Sequence, residues 1–232
     1  MRRARVPLLP WLAAAALLSG CARYQSRPLP PLPDNPKVRV ERVLASATVL
    51  AHYRESSAYL GDDLKGKGIL PVDLWIRNER RRPIEMDRNQ TRLVIAGHGL
   101  TDLTPEEKAR KAAHRSVLGA AGWFALLSGP ALPAMIGVSA LQIRDVNKRI
   151  AKDYQAKAFP VDQPIPPKGE ARGLLFFEVP RGYLKKVKPE DLRVSIVTRD
   201  TKTGNLQKFD FGVPRSRLSE PLSAGKPFWK YP

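Results

Sequence analysis

Cysteine is nearly absent: Cys21 stands alone among 232 residues, which excludes an internal disulfide framework and any multi-cysteine metal site. Three histidines, His52, His98 and His114, are too scattered to frame a histidine metal cage. Acid is scarce, with 22 Asp+Glu against 40 Lys+Arg and a net charge of +18. That excess suits an anionic partner without choosing between nucleic acid, a membrane surface and a cell-wall polymer. Catalytic signatures are missing as well. There is no Gly-x-Ser-x-Gly elbow, His-Glu-x-x-His helix, phosphate-cradling glycine loop or dinucleotide fingerprint. The sequence therefore reads as non-enzymatic, with no catalytic residues, metal or cofactor. What is present, 43% apolar and 27% charged residues, is enough for one cored domain plus appendages.

The N-terminus is the most informative stretch. Arg2, Arg3 and Arg5 precede an apolar run from Val6 to Leu18, 13 residues long. A transmembrane helix needs about 20 residues, so this run fits a signal peptide over 1–20. It closes on Leu18-Ser19-Gly20-Cys21, small residues flanking the sole cysteine. These four positions resemble the lipobox of bacterial lipoproteins. The resemblance implies cleavage after Gly20, a diacylglycerol on the Cys21 thiol and an acyl chain on the new amino group. One chain binds a bilayer only marginally, whereas two or three anchor stably. The mature chain, without the three leader arginines, carries 37 basic residues against 22 acidic ones. Ala22 and Arg23, in place of the Asp that retains such proteins in the inner membrane, point to the periplasmic face of the outer membrane. An exported chain meets lipid and wall polymers first, so nucleic acid is not an expected partner.

Residues 21–36 form a Pro-rich segment with Pro28, Pro30, Pro31, Pro33 and Pro36. In polyproline II it would span up to about 45 Å, a tether between bilayer and domain. From Val38 the pattern turns to β. Strands are expected at 38–50, 69–77, 91–96, 173–179, 191–199 and 206–212. Leu70, Val72, Leu74 and Ile76 form one inward set, and Leu192, Val194, Ile196 and Thr198 another. Thr203-Gly204-Asn205 marks a hairpin turn. Short strands without βαβ alternation predict a mainly β fold, an antiparallel sandwich built from 37–103 and 157–232. The arrangement is similar to immunoglobulin-like periplasmic modules, a likeness of pattern alone.

Between those halves, residues 104–156 predict a helical hairpin. Thr104-Pro105-Glu106-Glu107 offers a capping box. A charged, alanine-rich stem follows, and then Ser116 to Ile143 carry no charge for 28 residues. Ser128-Gly129-Pro130 and Pro133 place the turn near 128–133. Ile143, Val146, Ile150 and Tyr154 are spaced as one helical stripe, opposite Ala109, Ala112, Ala113 and Ser116. Each apolar arm, Val117–Leu127 and Leu132–Ile143, is about 17 Å long, close to the ~15 Å of half a bilayer's hydrocarbon. Val117, Leu118, Trp123, Phe124, Leu126, Leu127, Leu132, Met135, Ile136 and Val138 are the candidate membrane or partner contacts. Lys111, Arg115, Arg144 and Lys148 are the candidate contacts to anionic headgroups.

Three arrangements fit the arms: folded back onto the β domain, dipped into one leaflet, or used as a kinked span or partner-binding helix, including contact with a second copy. The reading is a non-enzymatic, membrane-anchored envelope lipoprotein whose partners are the bilayer and an envelope protein. The alternatives are a wall-acting enzyme with an unrecognised site, or a polyanion binder using basic residues such as Arg181, Lys185, Arg193 and Arg199.

Overall fold

The structure is a computed structural model that describes residues 24, 27–29, 37–49, 59–95, 99–114, 132–180 and 192–212. Among these residues nine strands and two α-helices, besides a 3-10 turn at Lys65–Lys67, follow in the order β1 (Val38–Val40), β2 (Val43–Val49), β3 (Ile69–Asn78), β4 (Ile84–Met86), β5 (Arg92–Ile95), β6 (Gly99–Thr104), α1 (Glu106–Ala113), α2 (Leu132–Lys157), β7 (Glu170–Glu178), β8 (Leu192–Asp200) and β9 (Leu206–Gly212). Every strand pairing is antiparallel, and the strands run β1-β2-β3-β7-β6-β5-β8 across the sheet. β4 and β5 share one edge of β8, at Thr198–Asp200 and Leu192–Ser195, while β9 takes the other edge. β1 comes close to β9, so the sheet nearly closes. The protein is mainly β, as its alternation predicts.

That alternation fills two cores rather than one. On β3, Leu70, Val72, Leu74 and Ile76 enter the main core with Phe177 of β7, Val194 and Ile196 of β8, and Phe209 and Phe211 of β9. The opposite faces of β3 and β7 give Ile69, Leu174 and Phe176 to a second core beneath the helices. Asp73 also lies on that outer face but is buried, because Arg172 clasps its carboxylate with two hydrogen bonds of 3.1 and 2.6 Å. Thr203-Gly204-Asn205 forms the expected hairpin turn, with Gly204 at φ +70°.

Several expectations need correction. The 38–50 run is broken after Val40 by a two-residue turn whose Glu41 takes φ +50°, left-handed backbone for a non-glycine residue. Its carboxylate pairs with Arg80 across the turn. β4 and β6 are additional strands. The capping box does not form: Pro105 occupies the N-cap of α1 without a side-chain bond, and the Thr104 hydroxyl instead accepts from the Glu178 amide at 3.0 Å. The hydroxyl is drawn to the β7 edge because Thr104 is itself the last β6 residue paired there, opposite Phe176. The charged stem helix stops two residues before Arg115, and the expected first apolar arm, Val117–Leu127, lies outside the described residues. α1 ends at Ala113, where His114 swings to φ −58°, ψ 136°. Arg110 and Lys111 in the last turn complement that helix end.

Candidate functional site

The second core is where the helices, the β domain and the N-terminal segment meet. α2 is 26 residues long and begins Leu132-Pro133, proline being tolerated in a helix's first turn. From Val146 onward it turns a spaced apolar stripe inward. Val146, Ile150 and Tyr154 are buried against Ala109 and Ala113 of α1. The small-against-bulky pairing of the stems thus holds for these residues. Tyr154 stacks on Phe176 of β7 with ring centroids 5.9 Å apart, seating α2 on the sheet.

A third wall comes from residues 59–69. Lys67 Nζ donates to the Ala112 carbonyl of α1 at 2.7 Å and pairs with Asp62. Lys157 Nζ donates to the Tyr59 carbonyl and pairs with Asp153 one turn back at 2.6 Å. Asp153 and Lys157 have side chains only 7% and 8% exposed, an ion pair taken out of water. Into this seat comes Tyr24, three residues beyond Cys21. The residue is 8% exposed, and its hydroxyl donates to the same Asp153 oxygen that Lys157 uses. Gly61, at φ +67°, lies directly against the ring: a β-carbon there would come within 2.5 Å of Tyr24. Leu29 packs against the same cluster.

Burial, and then the Asp153 hydrogen bond, raise the Tyr24 phenol above its usual range, and burial raises Tyr154 too. Both phenols keep their protons through the neutral range, so Tyr24 remains a donor to Asp153. On α1, burial and the neighbouring Arg110 and Lys111 charges lower the His114 imidazole, while burial raises the Glu106 carboxyl. No group of three metal-ligating side chains gathers among the described residues.

The docking of Tyr24 changes the expected tether. Within that segment Tyr24 is buried and Leu29 packs against the second core, so these two residues lie on the folded domain rather than in a free spacer. Burying an aromatic ring and satisfying its hydroxyl outweighs the freedom the prolines would otherwise give this segment. Sequence reasoning missed Tyr24, Asp153 and Lys157. The i,i+4 spacing of the latter two was the only local signal.

The anticipated contact residues divide. Cys21, Arg115, Val117, Leu118, Trp123, Phe124, Leu126 and Leu127 lie outside the described residues, as do Arg181 and Lys185 of the polyanion reading. Leu132, Met135, Ile136 and Val138 fall in the first turns of α2. Lys111, Arg144 and Lys148 are exposed, with Lys111 paired to Glu107 at 3.0 Å and Lys148 to Asp145 at 4.0 Å. Leu141 is 65% exposed, the most exposed large apolar side chain among the described residues. No helix among the described residues is long and apolar enough to cross a membrane.

No protein-family model and no curated protein sequence matches the chain. Among solved structures it is similar to a functionally unknown protein from Listeria monocytogenes EGD-e, with 11% identity over 78% of this chain and 82% of that one. The TM-score of 0.34 makes that likeness too slight to bear on fold or function.

Proposed function

We propose that the protein is a non-enzymatic lipoprotein of the bacterial cell envelope, held to the periplasmic face of the outer membrane by acyl chains on Cys21. In this reading the apolar region around the start of α2 contacts the bilayer. What supports it is a juxtaposition: the segment that follows the lipobox is bound to the base of the same helix whose far half is charge-free from Leu132 to Ile143 and shows an exposed Leu141. An exposed leucine leading a run of apolar residues is costly in water and favourable in lipid. In its finer form the fold is an immunoglobulin-like sandwich. The strand neighbours β2-β3-β7-β6 and β5-β8-β9 parallel the A-B-E-D and C-F-G sheets of that architecture, with the helices inserted between the fourth and fifth strands of the series.

The arm is tested apart from the anchor with a purified chain that starts at Ala22. It should bind vesicles of phosphatidylethanolamine and phosphatidylglycerol. Leu141→Glu combined with Trp123→Glu should weaken that binding more than about tenfold, since a charge carried to bilayer depth costs about 2.5 kcal/mol or more. Binding that is unchanged by both substitutions would remove the arm from the membrane. In that event a protein partner, or a second copy, becomes the occupant of this surface.

A further inference from the structure

We propose that Tyr24 is a docking latch that holds the lipid-bearing N-terminus against α2, so that the anchor and the basic outer face of α2 meet one anionic bilayer surface. This rests on the anchoring reading above and adds an orientation to it. The latch is built rather than incidental. A buried phenol reaches a buried carboxylate, that carboxylate is shared with Lys157, and Gly61 leaves room for the ring.

Chain length then bounds the distance between the anchor and the latch. Three residues carry the chain from Tyr24 to Cys21, so the acylated sulfur stays within about 10–15 Å of the Tyr24 backbone. The α2 backbone from Asp153 to Arg144 covers about 14 Å. That reach matches the length of α2 bearing Arg144, Lys148, Arg149 and Lys152, all exposed, and in the proposed orientation the lipid surface passes beside it. Leu141, Lys148 and Lys152 fall at i, i+7 and i+11, on the face opposite buried Val146, Ile150 and Tyr154. Lysines at the level of the anchor complement phosphate headgroups, and Leu141, further from the β domain, extends past them toward acyl chains. Lys202, exposed in the β8–β9 turn of the β domain, serves as the reference position.

The experiment uses the full-length lipoprotein in vesicles of phosphatidylethanolamine with phosphatidylglycerol, some carrying brominated acyl chains. With Cys21 acylated, Leu141→Cys or Lys202→Cys supplies the only free thiol and takes a bimane label. The expected result is strong bromine quenching at 141 and none at 202. Tyr24→Phe keeps the ring and loses the hydrogen bond to a buried carboxylate, which should lower the docked-to-free ratio about tenfold and reduce quenching at 141. Tyr24→Ala should reduce it further, and circular dichroism shows whether the domain stays folded. Quenching at 141 that is identical in the parent and in Tyr24→Phe, or equal quenching at 141 and 202, overturns the latch. A preparation whose mass shows no acyl chains overturns the anchoring reading first, and the latch with it.

Discussion

Asp153→Ala should lower the unfolding free energy by about 3–5 kcal/mol, the range for removing one partner of a buried ion pair. The variant leaves the Lys157 ammonium, 8% exposed, with the Tyr59 carbonyl as its remaining described acceptor. It also leaves the Tyr24 hydroxyl buried without the oxygen it donates to. The loss therefore comes from what stays behind as much as from the carboxylate itself. Replacing both charges, Asp153→Ala with Lys157→Met, should recover most of the stability, because an apolar pair of similar bulk avoids desolvating two ions. Urea unfolding of the parent, both single variants and the double variant measures the coupling. A single-variant loss below about 1 kcal/mol would mean that water enters this seat and the pair is effectively at the surface.

Gly173 carries the second large effect. It sits in β7 opposite Leu74, in an unstrained conformation, and is required for space rather than for backbone freedom. A β-carbon there would lie 2.5 Å from the Phe159 nitrogen and α-carbon, and the obstacle is backbone that cannot rotate away. The chain leaving α2 crosses β7 at this point. The Phe159 amide donates to the Leu174 carbonyl at 3.0 Å, and the Phe159 ring enters the main core at 4% exposure. Gly173→Ala must displace that crossing and should cost about 3 kcal/mol, the upper end of the usual range for overpacking. Gly212→Ala provides the control. Nothing lies within 4 Å of its added carbon, and stability should be unchanged or slightly higher. Thermal or urea midpoints of the two variants make the comparison, and equal midpoints would show that the crossing yields freely.

Where the sequence was legible, one physical period was at work over several residues. β9 alternates strictly, and the inward sets of β3 and β8, including Thr198, are buried as the pattern requires, although most of their outward residues are covered too. The Val146, Ile150 and Tyr154 stripe faced its small-residue partners for the same reason. β6 escaped notice because it changes neighbours within six residues. Gly99–Asp102 pair with β5, Leu103 and Thr104 pair with β7, and a strand that switches sides mid-course shows no single alternation. β4, three residues long, is too short to show any period. The latch was illegible for a different reason: Tyr24 and Asp153 are 129 residues apart, and a tyrosine among prolines announces no partner. The Thr104 hydroxyl had two acceptable donors within reach, a helix amide and the Glu178 amide, and only the tertiary fold decides between them.

The central claim is that the mature chain begins at Cys21 and is fastened to lipid through that residue's sulfur. The direct measurement is the intact mass, followed by N-terminal peptide mapping, of the protein purified from bacterial envelopes in mild detergent. A first residue of Cys21, heavier by a diacylglycerol and an amide-linked acyl chain, is the predicted result, and Cys21→Ser should abolish the modification. A purified protein that retains residues 1–20, or one whose Cys21 thiol reacts freely with maleimide, would contradict it.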